Sequence, residues 1–423
     1  MKKEHFSVYN HSLIYGNNRI AVRKFIVLNH TDGTKTFTDF HRFTGNPNRK
    51  IKSFNSDGDK RCTYICKFLN YAFFSVGISS LSELTLDTGQ KFINAYAMHE
   101  LPEDDEYTKR SESTIDFCVS YIFDFYTNLA TDKHSKCHFK LSDLYRHISV
   151  RNKYGKVILK KVPFFNVEYI PSYKVPIFRD MPNKAFQVLF DHIVDRHKDL
   201  LGLVLNQAFA GLRPSEACNV RRPDSPLGAG IIFSEVNGEL LGISIDLKEE
   251  LNLRSDLKNV GGIKRERTAR VPDIFLSAYK HAYDIYTEYM KDRKYEKDYG
   301  AFSVNLQGKA ITYTSYYQKF RDIINDEMIP IFLQSHDPEL VLYGQTLMTH
   351  SLSPHVFRHW YTVQLVLSGI ENPGVLMHLR GDRSPESSIV YIKNKGDLEK
   401  QFSRISNESF EYLKWASERE HDE

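Results

Sequence analysis

A chain of 423 residues is too long for one typical domain and suits two or three. Its net charge of +4 excludes a uniformly basic sleeve for nucleic acid. Residues 1–53 nevertheless hold ten Lys/Arg against three Asp/Glu, a net charge of +7 that leaves −3 for the rest. We therefore predict a basic amino-terminal segment, either a phosphate-binding arm or a solvated tail.

The first 135 residues predict a hairpin followed by three helices. Apolar runs at 20–28 and 35–40 flank a Thr-Asp-Gly-Thr turn signal. Apolar residues at helical spacing then predict helices near 65–72, 84–98 (opened by Asp87) and 115–126. We accordingly predict residues 1–44 as the basic segment with its hairpin and 45–135 as a small helical domain. Residues 136–180, with weak periodicity, are predicted to be a partly ordered linker.

From residue 181 onward the pattern is mainly helical with one small β-sheet. Helices are predicted over 182–209, 276–291 and 315–325, and strands over 242–247 and 268–272. Residues 181–396 are thus predicted to be a mainly α domain with a small antiparallel β-sheet. Residues 397–423 are predicted to be a carboxy-terminal helix with an acidic tail.

The cysteine content predicts the cellular compartment and whether a cysteine metal site is present. Five cysteines, an odd number, occur with no secretory signal and no apolar run near 20 residues. This pattern predicts a reduced cytoplasmic protein without a membrane segment. Cys62, Cys66 and Cys137, the last flanked by two histidines, are predicted to be packing thiols and not metal ligands, because no partner motif accompanies them.

Two segments carry side chains that suit phosphate chemistry. Residues 210–220 include Arg213 in a Gly-Leu-Arg-Pro-Ser-Glu run, and residues 353–361 include His355 and Arg358. Ser353 as cap and Pro354 in the first turn predict a helix that presents His355 and Arg358 on one face. Tyr391 follows Arg358 by 33 residues. A guanidinium can hold two phosphate oxygens in a fixed fork, and a phenol becomes a nucleophile when neighbours stabilise or deprotonate it.

Together the two segments resemble the tyrosine recombinase/integrase family. There, an arginine in a G-L-R-x-x-E pattern, a hairpin lysine, an H-x-x-R pair, a later His or Trp and a carboxy-terminal tyrosine form one active site. Arg213, His355, Arg358 and Tyr391 match this pattern residue by residue and in order. The resemblance implies that residues 45–135 are a core-binding DNA-binding domain and that 181–396 are the catalytic domain.

Two positions of the family pattern, the hairpin lysine and the later His or Trp, match this sequence less directly. The family often places its lysine seven or eight residues before a Val-Pro pair, which favours Lys264, with Lys258 as the alternative. The usual Leu-Gly-His before the tyrosine is replaced by an Arg-Gly-Asp run that contains Asp382. A carboxylate cannot donate a hydrogen bond to a phosphate unless it is protonated. Asp382 is therefore predicted to orient Arg383 or Arg358; alternatively, His378 takes over the missing contact.

The resemblance implies a site-specific recombinase or integrase of a mobile genetic element, which cuts and rejoins double-stranded DNA through a 3′-phosphotyrosyl intermediate. It further implies a homotetramer on DNA, accessory DNA-bending proteins, and no cofactor or metal. Two alternatives stay open. A catalytically silent DNA-binding regulator is favoured by Asp382, and a type IB topoisomerase shares the tyrosine and the arginines.

Overall fold

A computed structural model describes residues 3–16, 18–48, 60–105, 110–151, 157–167, 181–247 and 249–385. The chain forms two compact units, Met1–Leu13 with Ala21–Lys174, and Ile14–Ile20 with Val175–Glu423. The predicted fold class, mainly α-helical with small β-sheets, is confirmed. In the described part of the chain, no helix is both long and apolar enough to cross a membrane.

The chain begins with a small β-sheet of three strands in sequence order, β1 (His5–Tyr15), β2 (Arg19–Asn29) and β3 (Lys35–Phe37). β2 and β3 pair antiparallel across the predicted turn, in which Asp32 accepts hydrogen bonds from the N–H and hydroxyl of Thr34. The predicted hairpin is therefore present. β1 was not predicted, because most of its side chains are exposed and its sequence lacks the alternation that a half-buried strand shows.

Three helices form the core of the first unit. They are α1 (Arg61–Asn70), which continues into a π-turn at Tyr71–Val76, α2 (Leu86–Ala97) and α3 (Glu112–Thr131). The apolar faces predicted for α1 and α3 pack in one cluster. α2 begins differently from the prediction: Asp87 lies in its first turn, but Thr85 is the cap, since its side chain accepts the N–H of Thr88 at 3.1 Å.

The predicted linker at 136–180 contains a hairpin. β4 (Tyr145–Arg151) pairs antiparallel with β5 (Val157–Pro163), and Leu144 and Phe165 on either side are buried in the core of the first unit. Most side chains of the two strands are exposed, so the sequence lacks the burial signal by which strands are recognised. The sequence analysis did not predict this hairpin, the bounds of the linker stay a prediction, and residues 168–180 lie outside the described part.

The second unit combines helices with a β-sheet of order β6–β7–β8. Its strands are β6 (Ile231–Val236), β7 (Glu239–Leu247) and β8 (Arg267–Arg270), all antiparallel to their neighbours. Its helices are α4 (Asn183–Arg196), α5 (Lys198–Ala208), α6 (Pro214–Ala217), α7 (Leu276–Met290), α8 (Tyr313–Asp322), α9 (Ile329–Leu333), α10 (Pro338–Thr349), α11 (His355–Leu367) and α12 (Pro373–Arg380). A π-turn at Ile323–Met328 joins α8 to α9.

α11 contacts α4 through an aromatic pair and two hydrogen bonds. The ring of Phe186 stacks on Trp360 with centroids 3.8 Å apart and planes 6° apart. Trp360 Nε1 and Gln364 Nε2 both donate to Oδ1 of the buried Asn183, each at 2.8 Å. Because these polar groups are satisfied inside the core, the contact specifies one register of α11 against α4.

Candidate functional site

A cavity of about 370 Å³ in the second unit collects most of the side chains that the sequence singles out. It contains Arg213, Lys264, His355, Arg358 and Asp382, whereas Tyr391 lies outside the described residues. Five cationic side chains face one carboxylate, which gives the lining a net charge of +4 with neutral histidines. The complete lining is Arg213, Lys264, His355, Arg358, His359, Arg380, Asp382, Arg383 and Ser384.

Arg213 is placed by a tight turn at the end of α5. Gly211 has φ +64°, and a Cβ there would lie 2.4 Å from the ring of Tyr361, so only glycine fits this turn. The buried α5 thereby leads into α6 with Arg213 at its N-terminal cap. The predicted Arg213 segment therefore occupies a rigid, close-packed junction.

Glu216 fixes the direction of the Arg213 side chain. This carboxylate is fully buried and accepts hydrogen bonds from Arg213 Nη1 at 2.9 Å and from Arg267 Nη2 at 2.9 Å. Burial raises the pKa of Glu216, but the hydrogen bonds and positive charges of Arg267 and Arg213 outweigh burial and lower it overall. Glu216 is the glutamate of the G-L-R-x-x-E pattern. The pattern does not predict that this carboxylate joins two arginines from different elements, which the structure shows.

Arg358 is held in one orientation by backbone carbonyls. It is 4% exposed, and its Nη1 donates to the carbonyl of Arg380 at 2.7 Å and to that of Gly211 at 2.5 Å. Burial and the nearby charges of Arg213 and Arg380 lower its pKa, while Asp382 and Glu216 act in the opposite direction. A guanidinium fixed in this way needs little reorganisation to bind an anion.

Asp382 links three arginines. Its Oδ1 accepts hydrogen bonds from Arg213 Nη2 and, at 2.7 Å, from Arg358 Nη2, and its Oδ2 accepts from Arg380 Nε at 2.7 Å. Burial raises the pKa of Asp382, but Arg358, Arg380 and Arg213 outweigh burial and lower it, so the carboxylate stays ionised. Asp382 therefore contacts three positively charged neighbours, and its role in orienting them stays a prediction.

The partners of Asp382 differ in part from those predicted. Arg358 is one of them, but Arg383 is an exposed lining residue, and His378 is exposed and is not part of the described lining. Arg380 was missed. It is buried, its Nη1 donates to Thr362 Oγ1 at 2.8 Å, and its closeness to Asp382 in the Arg-Gly-Asp run was the available signal.

Lys264 is the lysine that the structure brings to the cavity. It lies in the connection between β7 and β8, and the residues just before it are anchored beside Arg213. Ser215 Oγ donates to the Gly262 carbonyl at 2.9 Å, and Asn219 Nδ2 donates to the Gly261 carbonyl at 2.6 Å. Lys258 is exposed and does not line the cavity.

His355 and Arg358 share one face of α11, and both line the cavity as their spacing predicts. The start of α11 differs from the prediction. The helix begins at His355, and Pro354 occupies the cap position with no side-chain cap, so Ser353 contributes its carbonyl to Val356 N–H at 2.9 Å instead of a hydroxyl cap. His355 is exposed at this helix end, where it can reach a bound molecule.

Acid should weaken the second unit through Glu216 and Asp382. Their folded-state pKa values lie below the ordinary values of about 4.3 and 3.9, so their stabilisation is complete above those values and is lost as pH falls through the folded-state values. We expect the free energy of unfolding to fall from about pH 5 downward. Glu216→Gln should be less stable near pH 7 by about 3 kcal/mol or more, because the partly buried Arg213 and Arg267 lose their charged partner, and its decline with acid should be shallower. Denaturant titrations at several pH values measure both, and an unchanged slope in Glu216→Gln would contradict the assignment.

No family model and no curated protein matches the sequence. Among solved structures, the chain is similar to the XerH site-specific recombinase bound to difH substrate, with 14% identity, a TM-score of 0.45, and 79% of this chain and 76% of that chain covered. It is similar to the Tn1549 transposon integrase in complex with transposon right end DNA, with 15% identity, a TM-score of 0.43 and coverages of 85% and 96%. It is also similar to a lambda integrase dimer bound to a COC′ core site, with 11% identity, a TM-score of 0.41, and 82% of this chain and 92% of that chain covered. Similarity at this level carries no argument about activity, and the functional assignment rests on the cavity residues.

Proposed function

We propose that this chain is a tyrosine recombinase, a DNA strand transferase that cuts and rejoins double-stranded DNA at a specific site. The observation that carries the proposal is the cavity itself. Arg213 and Arg358 are 145 positions apart in the sequence, but both donate to the Asp382 carboxylate. Lys264 and His355 line the same cavity. Side chains chosen from a sequence pattern for phosphate chemistry thus line one cationic site.

The arginines supply the electrostatic part of the reaction. Negative charge grows on the non-bridging oxygens of a phosphodiester during attack, and oriented guanidinium donors stabilise that charge. Glu216 holds Arg213, and backbone carbonyls hold Arg358, so neither side chain has to be ordered when DNA arrives. Such preorganisation favours the transition state over the ground state.

The covalent step requires a nucleophile and a proton donor. The Tyr391 oxygen attacks the phosphorus and the bond to the 5′-oxygen breaks, which leaves a 3′-phosphotyrosyl intermediate and a free 5′-hydroxyl. Lys264 gives a proton to the leaving 5′-oxygen, and His355 assists proton transfer at the tyrosine. Because one phosphoester replaces another, a second 5′-hydroxyl can reverse the step and join a new partner strand without nucleotide hydrolysis.

Arg380 and Asp382 take the place of the imidazole in the usual pattern. Asp382 cannot donate to a phosphate, but it orients Arg213 and Arg358, and it is a positioning residue in that sense. Arg380, which also lines the cavity, adds a positive charge at this position. The pair therefore supplies both the orientation and a further positive charge.

Recombination also implies partners. Exchange of two duplexes needs more than one active site, so the working form is a homo-oligomer on DNA, a tetramer, aided where needed by DNA-bending proteins. The basic residues of 1–53 fit an arm that contacts phosphates. The proposal further includes that the protein is the recombinase of a mobile genetic element and that it acts in the cytoplasm.

A nicked suicide substrate tests the proposal directly. Duplexes selected in vitro for binding are nicked near the cleavage position, so that the short freed strand diffuses away and religation is prevented. We expect a covalent protein–DNA species that survives denaturant. Tight binding with no adduct would contradict the proposal, and relaxation of supercoiled plasmids that lack the selected site would identify a topoisomerase instead.

A catalytically silent DNA-binding regulator is the second candidate. The observation in its favour is that Asp382 occupies the donors of Arg213, Arg358 and Arg380 that a phosphate would use. A regulator would bind its site without forming the adduct, and Asp382→His would restore adduct formation.

Replacing Lys264 should produce a defect that depends on the leaving group. A 5′-bridging phosphorothiolate leaves without protonation, so it should restore cleavage to Lys264→Ala but not to Arg213→Ala, which lacks transition-state stabilisation. Single-turnover cleavage rates on matched oxygen and sulfur substrates measure the effect. Lys258→Ala serves as the control, and rescue of that variant instead would move the proton donor to Lys258.

Asp382→Asn should keep part of the activity, whereas His378→Ala should change little. The amide retains an oxygen that can accept from Arg213 and Arg358 but loses the charge that offsets them, so we expect a moderate loss of cleavage rate. His378 is exposed and does not line the cavity. If His378→Ala were the more damaging change in cleavage assays, His378 would be the missing phosphate donor.

A further inference from the structure

A second cluster of chemically active side chains lies in the same unit, away from the cationic cavity. His192 on α4, His197 between α4 and α5, and Glu327 in the π-turn Ile323–Met328 converge from three elements. His192 Nε2 lies 2.7 Å from Glu327 Oε2, and His197 Nε2 lies 3.0 Å from both carboxylate oxygens. None of the three lines the cavity.

We infer that His192, His197 and Glu327 form a binding site for a divalent transition metal ion of the zinc class. Two imidazole nitrogens and one carboxylate are a donor set that suits zinc and its neighbours, and calcium or magnesium would demand mainly oxygen ligands. The three ligand atoms lie within 4.8 Å of one another. Metal–ligand bonds of about 2.0–2.2 Å can therefore be reached by small side-chain rotations, without moving the helices.

The surroundings permit a partly open coordination sphere. The side chains of His192 and His197 are 12% and 16% exposed, and that of Glu327 is 35% exposed. The imidazoles are thus held by the protein, while solvent reaches the carboxylate side and can supply a water as the fourth ligand of a tetrahedral ion. On binding, each neutral imidazole offers its Nε2 lone pair and carries its proton on Nδ1, so metal bonds replace the hydrogen bonds of both imidazoles to Glu327.

The location indicates a structural role for the ion. It would join the α4–α5 junction to the π-turn between α8 and α9, where the ladder of ordinary helical hydrogen bonds is interrupted. A separate ion pair, Lys319 to Asp199 at 2.6 Å, already ties α8 to the start of α5. The metal-free chain therefore keeps a link between these elements, and the ion reinforces a fold that exists without it.

Cobalt(II) is a suitable probe because its visible absorption reports coordination number and ligand type. The full-length protein is stripped with chelator and titrated with Co²⁺, and Zn²⁺ is then added in competition. We expect one Co²⁺ per chain with the intense absorption of a four- or five-coordinate site, displacement by Zn²⁺, and a higher melting temperature with Zn²⁺ than without it.

The variants assign the signal to these residues. His192→Gln, His197→Gln and Glu327→Gln should each weaken Co²⁺ binding by about tenfold or more and reduce the Zn²⁺-induced shift in melting temperature. His336→Gln, which removes an exposed histidine of the same unit, is the matched control and should bind as wild type. The shift, and not the absolute melting temperature, is compared, because a variant can lose stability through its hydrogen bonds alone.

Two results would overturn the inference. One is wild-type protein with no specific Co²⁺ absorption at one equivalent. The other is an unchanged spectrum and stoichiometry in His197→Gln and Glu327→Gln, which would assign the binding to others of the 17 histidines. Because the readouts need no DNA, failure here leaves the recombinase proposal untouched, and failure of the suicide-substrate test leaves this inference untouched.

Discussion

Tyr391→Phe should abolish the covalent protein–DNA adduct while leaving binding to the DNA site nearly unchanged. The substitution removes one hydroxyl, the proposed nucleophile, and little of the contact surface. Denaturing electrophoresis of suicide-substrate reactions measures the adduct, and a gel-shift titration measures binding. An adduct that persists in Tyr391→Phe would assign the nucleophile to another residue.

Tyr361→Phe is a matched control for this experiment. Tyr361 lies three residues after Arg358 but is fully buried, and burial raises its pKa. Its hydroxyl has no hydrogen-bond partner among the described residues. Removal of that hydroxyl should therefore leave both adduct formation and stability close to wild type, which separates loss of a nucleophile from loss of any tyrosine near the cavity.

Arg213→Lys and Arg358→Lys should each slow cleavage by about a hundredfold or more, close to the ~3 kcal/mol that one preorganised donor contributes. Lysine keeps the charge but loses the planar fork and the parallel hydrogen bonds. In Arg358→Lys the hydrogen bonds to the Arg380 and Gly211 carbonyls are lost as well. The new side chain is therefore no longer held in one orientation. Single-turnover cleavage on the suicide substrate gives the rates.

Arg270→Lys provides the control for the arginine series. Arg270 lies on β8 in the same unit, pairs with Asp273 at 3.1 Å, and has a side chain that is 63% exposed. Its replacement should leave cleavage unchanged, since an exposed ion pair contributes little. Near-normal rates in both Arg213→Lys and Arg358→Lys would show that these arginines do not contact the phosphate.

The sequence predicted those parts of the site that local patterns encode. Arg213 follows a tight turn after an apolar helix, and His355 and Arg358 are three residues apart on a helix, so short motifs were enough to find them. The network around them could not be predicted in this way. Glu216 contacts Arg267, 51 residues later, and Asp382 contacts Arg213, 169 residues earlier, and only the tertiary fold brings such groups together.

The fold shows the same division. Helices α1, α3 and α7 bury regular apolar faces and were found from their period. β1 and the β4–β5 hairpin expose most of their side chains, so no alternation marked them. Tyr391 and the predicted carboxy-terminal helix lie outside the described residues and stay predictions.

The arginine cluster has a thermodynamic consequence for the protein without DNA. Among the described residues, four guanidinium groups, those of Arg213, Arg267, Arg358 and Arg380, share the two carboxylates of Glu216 and Asp382, and Arg265 donates to the backbone carbonyl of Asp382. Folding must bring these like charges together before any phosphate is present to offset them. The arrangement that suits anion binding therefore lowers the stability of the protein without DNA. A phosphodiester bound as proposed would relieve that repulsion, so the DNA backbone would itself stabilise the fold that binds it.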